Sequence, residues 1–211
     1  MKKINRYIVL SVIMILILLF GASGLFIYAE QKDQAEIINT IERGERLLLP
    51  SICMSSMVDG IVTLNESEQS EFAEVYRKEL NEVYVEGCAP QKMRLSILES
   101  FLSDSPTVQE IAYAIETYEV HSLEIEDDQA VIDISFADSI RSVNLNEENE
   151  YASMVSQTNN RLKVTLLKSE GKWKISGCEI LNYQPSSSDE IQSENFSSYQ
   201  AAENYAVQTQ V

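Results

Sequence analysis

From Tyr7 to Ala29 the chain reads YIVLSVIMILILLFGASGLFIYA, 23 residues without a charge. A bilayer core of about 30 Å is crossed by about 20 apolar helical residues at 1.5 Å rise each. Lys2, Lys3 and Arg6 precede the run, and Glu30 and Asp33 follow it. Positive charge stays on the cytoplasmic side. The expectation is therefore a cytoplasmic end over 1–6, a transmembrane helix over 7–29, and the rest of the chain outside the cytoplasmic membrane. The competing reading is a cleaved signal peptide, with Ile8–Phe20 as its apolar core and GASG as the small residues before a cut. The apolar run then resumes with LFIYA and holds no A-x-A triplet, which favours a retained single-pass anchor. Cleavage would make the protein secreted.

The charge balance narrows the partners. The chain holds 16 basic and 33 acidic residues, a formal net charge of -17. Three of the basic groups lie before the apolar run, so the exported part is more acidic still. Such a field repels phosphate backbones, and nucleic acid is excluded as a partner. The apolar fraction of 45 % is ample for a core.

After the anchor, 30–64 reads as a helical juxtamembrane region. Ile37, Ile38, Ile41 and Leu48 fall at helical spacing up to Pro50, and Ile52 through Val62 suggests a second apolar helix. Asn65 with Glu68 forms a capping-box signature. The helix it opens, to about Tyr84, places Phe72, Val75, Tyr76, Leu80, Val83 and Tyr84 on one face. Gly87 and Pro90 punctuate, and a helix over about 91–102 carries Met93, Ile97, Leu98, Phe101 and Leu102. Ser105-Pro106 fits an N-cap followed by a short turn of helix.

The period then changes from 3.6 to 2. YEVHSLEI (Tyr118–Ile125) alternates with a phase slip at His121-Ser122, which marks a bulge. Asp127-Asp128 turns the chain into a strand carrying Ala130, Ile132, Ile134 and Phe136. A polar connection is expected over 137–160, then a hairpin through Ser169-Glu170-Gly171 that puts Trp173 and Ile175 on one face. The apolar parity shifts at Gly177, a second bulge. From Gln184 to the end there is no basic residue and no apolar period, so 184–211 reads as a disordered acidic tail.

Helices followed by antiparallel hairpins give an α+β class. The helical half, LEIEDDQAVIDISF and the closing LKVTLLKSEGKWKISGCEIL together resemble the NTF2-like (cystatin-like α+β) superfamily over roughly Glu66–Tyr183. The resemblance implies helices packed on the concave face of a curved antiparallel sheet over 65–183, an NTF2-like cone. It also implies that a cone pocket would bring Trp173 together with His121, the single histidine, and with Asp133 and Tyr118. Short cytoplasmic end, one span and such a domain is a layout similar to that of bitopic scaffold subunits of conjugation and type IV secretion machines.

No complete catalytic constellation is present. One histidine makes no dyad, and Cys53, Cys88 and Cys178 have no zinc spacing. EIEDD and NEENE lack the calcium-loop pattern, and no phosphate loop occurs. No cofactor or metal is expected. In an oxidising exterior the favoured disulfide is Cys53–Cys88, both at helix edges, with Cys178 left over. The leading reading is a non-catalytic interaction or assembly domain with an unknown protein partner, homo-oligomers being open. The alternatives are a small-molecule binder or enzyme using the cone, and a structural spacer. Core-facing Phe72, Tyr76, Ile97 or Phe101 filling the cone would count against the second class.

Overall fold

The computed structural model describes residues 31–54, 64–103, 108–146, 150–185 and 192–208. The chain divides into two units, Met1–Ile38 and Asn39–Val211. In the first, residues 31–38 are helical. The span expected over 7–29 lies outside the described residues. Among those residues, no helix is long and apolar enough to cross a membrane. Residues 31–46 are helical and are called α1.

The second unit is α+β. After α1 come α2 (Pro50–Met54), α3 (Glu66–Val83) and α4 (Ala89–Ser103), then β1 (Val108–Glu126), β2 (Gln129–Leu145), β3 (Tyr151–Ser169), β4 (Lys172–Pro185), β5 (Gln192–Phe196) and α5 (Tyr199–Gln208). The sheet is an antiparallel meander in the order β1-β2-β3-β4, and β5 pairs with β3 over Tyr151–Val155. The unit begins at Asn39, so the boundary expected at 65 moves upstream and residues 39–54 belong to it. The helix expected through Val62 is described only as far as Met54, and the Ser105-Pro106 cap lies outside the described residues.

The α3 start follows its sequence. Asn65 Oδ1 accepts the Ser67 and Glu68 backbone N–H groups, and Glu68 Oε2 accepts that of Asn65 at 2.8 Å. Phe72, Ala73, Tyr76, Leu80 and Val83 form its buried face, whereas Val75, expected in that stripe, is exposed. On α4 the correction is larger. Pro90, Gln91, Arg94 and Leu98 are buried and Met93 is exposed, because the helix turns to bring Arg94 inward onto Glu45. Phe72 and Phe101 rings lie 5.8 Å apart at the α3–α4 contact.

The sheet turns where expected. Asp127 (φ 52) and the Glu170-Gly171 pair (φ 53 and 77) take the left-handed conformations of tight hairpins. The expected bulges are present: the β1–β2 register slips between Val120 and Ser122, leaving His121 as the extra residue, and the β3–β4 register slips at Ser176 beside Gly177. The strands are longer than their apolar patterns. β1 begins at Val108, and the expected polar connection over 137–160 is replaced by continuous β2–β3 pairing out to Leu145↔Tyr151. Buried Asp138, Ser139 and Ser153 stand at inward positions there, which removed the alternation from view.

Each face of the sheet is covered over part of its length. Ala130, Ile132, Ile134 and Phe136 of β2, with Leu162, Val164 and Leu166 of β3, form one buried face, and α3 and α4 pack against β4 while α2 packs against β1. Beyond Asp138 the opposite face is buried. Val143 and Ser153 are cross-strand partners, and Tyr151, of the same parity as Ser153, stacks edge-on against Tyr199 of α5. Tyr199, Ala202 and Ala206 recur at i, i+3 and i+7, so α5 lays its small face there, with both alanines buried. The disordered tail expected over 184–211 is thereby corrected across 192–208. β5 takes ladder hydrogen bonds from β3, and α5 needs only two alanines, a saving in side-chain bulk that composition does not register.

Gly44 sets how closely α1 approaches the sheet. A Cβ there would lie 2.7 Å from Ile175 Cδ1 and 2.9 Å from Tyr84 Oη. At Gly177 the nearest atom would be Thr165 Cβ at 3.6 Å, an ordinary contact. Gly44→Ala is expected to lower stability by about 1–3 kcal/mol through overpacking, and Asn65→Ala by about 1 kcal/mol through loss of the cap. Gly177→Ala is expected to change it much less. Urea denaturation of the three variants checks the order.

Candidate functional site

Of the four residues expected in a cone pocket, Trp173 is not brought together with His121, Asp133 and Tyr118. Trp173 is buried opposite Lys168, whose Nζ lies 4.9 Å from its ring centre, and its carbonyl accepts from Thr40 Oγ1 at 3.4 Å. It closes the core. His121 lies on the other face, where Nε2 is 2.7 Å from Ser135 Oγ and Nδ1 is 3.8 Å from Glu119. Asp133 shares that face and is clasped by Arg161 through Nε at 2.9 Å and Nη2 at 2.8 Å. The guanidinium holds the Asp133 carboxyl below its ordinary range. Tyr118 is 54 % exposed. It shares with His121 only an open hollow of about 830 Å3, also edged by Arg161 and Leu181. Nothing there positions a general base against an acid.

The polar groups that are buried lie elsewhere. Arg94 Nη2 donates to Glu45 Oε1 at 3.0 Å and to the Gly44 carbonyl at 3.5 Å, and its guanidinium stands 5.7 Å from the Tyr84 ring centre. Tyr84 Oη donates to the same carbonyl at 2.9 Å, and Tyr76 Oη donates to the Leu47 carbonyl. The last carbonyls of a helix have no partner within it. Here side chains from α3, α4 and the chain between them supply partners. Burial raises the Glu45 carboxyl, with Arg94 opposing and Asp138 adding to the rise.

Asp138 anchors a second cluster. Its carboxylate accepts from Tyr113 Oη at 3.1 Å, Asn160 Nδ2 at 3.2 Å and Thr158 Oγ1. Burial pushes Asp138 up, and its three donors pull the other way. Tyr113 is pushed far up by burial and by the neighbouring carboxylates. These partners satisfy one another, which fits a structural network better than an acid–base site. Sequence reading passed over Arg94 because it sits within an apolar stripe, and passed over Asp138, Thr158 and Asn160 because they fell in the supposed connection.

An apolar groove opens beside these clusters. Leu48, Ala89, Pro90, Met93, Leu162 and Ile180 wall a cavity of about 250 Å3, with Glu45 and Arg94 also lining it and Cys178 at its rim. From Cys178 to Pro185 every residue of β4 is exposed, including Ile180 (66 %), Leu181 and Tyr183.

The expected Cys53–Cys88 disulfide is corrected: all three cysteines are thiols. Cys53 lines a hollow with Arg43, Arg46, Val75 and Glu79, while Cys88 Sγ donates to the Ile175 carbonyl at 3.6 Å on β4. Among the described residues no group of acidic, histidine or cysteine side chains could hold a metal ion.

No family model and no curated protein matches the chain. Among solved structures, the intermembrane space region of chloroplast protein ARC6 aligns over 52 % of this chain and 78 % of its own, at 15 % identity and a TM-score of 0.39. A likeness of that size carries no argument about fold or function.

Because the folded-state pKa of Asp138 is raised, the native protein holds that proton more tightly than the unfolded chain does. Stability from this group is present below the usual carboxylate range and is lost as pH rises through the folded pKa. The stability of Asp138→Asn relative to the parent protein is therefore expected to improve from pH 4 to pH 7, whatever its offset. Paired thermal melts across that range measure the slope.

Proposed function

We propose that the chain is a single-pass membrane protein whose Asn39–Val211 unit acts outside the cytoplasmic membrane as a non-catalytic interaction or assembly module. The observation that carries this is a contrast between interior and edge. Phe72, Tyr76, Tyr84 and Trp173 are buried in the interior, whereas β4 carries Ile180, Leu181 and Tyr183 exposed close together. Enzymes and binders of small molecules enclose a site of about 300–1,000 Å3 with converging polar groups. Contiguous exposed apolar residues mark association surfaces. The uncharged run over 7–29 and its charge asymmetry support the anchor. Helices followed by an antiparallel meander suit an NTF2-like cone, and the layout suits a scaffold subunit of a conjugation or secretion machine.

The second reading, a small-molecule site, is favoured by the groove beneath Met93 and Ile180. Its small volume and internally neutralised ion pair favour an apolar group over a metabolite.

Chemical crosslinking of intact cells followed by mass spectrometry tests the interaction reading. Crosslinks from the Asn39–Val211 unit to another membrane or exported protein are expected, with the chain retained in the membrane after carbonate extraction. N-terminal sequencing that begins near Ser23 or Glu30 would sink the anchor. Absence of any interprotein crosslink would leave a spacer.

A further inference from the structure

The outer edge of β4 is used briefly and then abandoned. Tyr84 bridges Ile175 in parallel, and Val85 N–H donates to the Ile175 carbonyl at 2.9 Å. The chain then turns away at Gly87, whose φ of 73 is left-handed, and enters α4. From Gly177 to Pro185 no strand among the described residues pairs that edge. Exposed strand edges are templates for another chain and are commonly guarded by lysine, proline or a bulge. Here Leu181 is bulged and Pro185 ends the strand, but Cys178–Pro185 contains no cation and stands exposed throughout.

The cavity lies against this same edge. Cys178 and Ile180 pair with Val164 and Leu162, so both face the α4 side of the sheet, where Pro90 and Met93 form the opposite wall. A strand added to β4 would direct alternate side chains toward that side. The cavity, about 250 Å3, is below the usual range for small-molecule sites and matches one apolar side chain. Arg94 and Glu45 neutralise each other beside it, so it selects an uncharged anchor.

Charge decides between occupants. A second copy would bring another chain of formal charge -17, and Glu179 is the single charge on Cys178–Pro185. A cationic segment is attracted by both.

We propose that β4 from Gly177 to Pro185 and the start of α4 form a groove that captures an extended, basic segment of another protein, which adds as a strand to β4 and drops one apolar side chain between Met93 and Ile180. Backbone pairing would supply affinity, and the cavity would supply register. This deepens the interaction reading and rests on it.

The test uses the full chain in detergent micelles and three capped heptapeptides: alternating Lys and Leu, alternating Glu and Leu, and the Lys–Leu peptide with alternate backbone nitrogens methylated. Fluorescence anisotropy reads binding, and hydrogen exchange reads its location. The Lys–Leu peptide is expected to bind and to slow amide exchange over 177–185 at least tenfold. Ile180→Lys, at an exposed position that should leave folding intact, is expected to weaken binding at least tenfold. Backbone methylation is expected to abolish it. Equal binding of the Glu–Leu or methylated peptide overturns the proposal, as does binding without protection at 177–185 or no binding of any peptide. Sedimentation showing a dimer that Ile180→Lys dissociates places a second copy on the edge and overturns it too. Failure with the peptides leaves the cell crosslinking result standing, and a missing crosslink leaves the groove's peptide binding standing, so the two readings fail separately.

Discussion

The end of α1 is the constraint around which the second unit is arranged. Gly44 has no side chain to hold the helix off, so Tyr84 and Ile175 meet its backbone directly. That contact exposes the terminal carbonyls of α1 to the core, where unpaired acceptors are costly. Tyr84 and Arg94 both take the Gly44 carbonyl, and Tyr76 takes that of Leu47. Arg94 is then a buried cation and needs Glu45. Turning Arg94 inward rotates α4 and puts Met93 outward, where it becomes a groove wall. A missing methyl on α1 thus accounts for the face that α4 shows to β4.

Length explains why some of the sheet is left open. A 19-residue strand such as β3 extends about 60 Å at about 3.3 Å per residue, while the 18 residues of α3 extend about 27 Å at 1.5 Å per residue. The α3–α4 layer therefore covers only part of one face. Past Asp138 the second core forms on the other face beneath α5, and Asp138 with Tyr113, Thr158 and Asn160 fills the crossover with hydrogen bonds. At the end of β4 only the start of α4 reaches Ile180, across the groove, and Ile180, Leu181 and Tyr183 remain largely in solvent.

Much of the first core was legible. The Asn65–Glu68 cap, the Phe72–Val83 face, the bulges at His121 and beside Gly177, and the inward pair Trp173 and Ile175 all follow from local spacing. The candidate site was hardly legible. His121 and Trp173 looked like partners, yet the bulge that sequence spacing located sends His121 to the far face. Whether an extra residue turns outward depends on the neighbouring strand's register, which no local pattern contains.

The sequence by itself determined the α+β class, the acidic balance, the Asn65 helix cap and the tight turns, because each depends on composition or on residues within one turn of chain. Tertiary structure decided the rest. It ordered 192–208 through ladder bonds borrowed from β3 and a face of two alanines, carried β2 and β3 through a polar stretch, and left Cys53 and Cys88 as thiols. It also left the edge of β4 from Gly177 to Pro185 without a strand partner among the described residues. The physical reason is common to all four: the deciding partner lies far along the chain, and a residue's own neighbours hold no record of it.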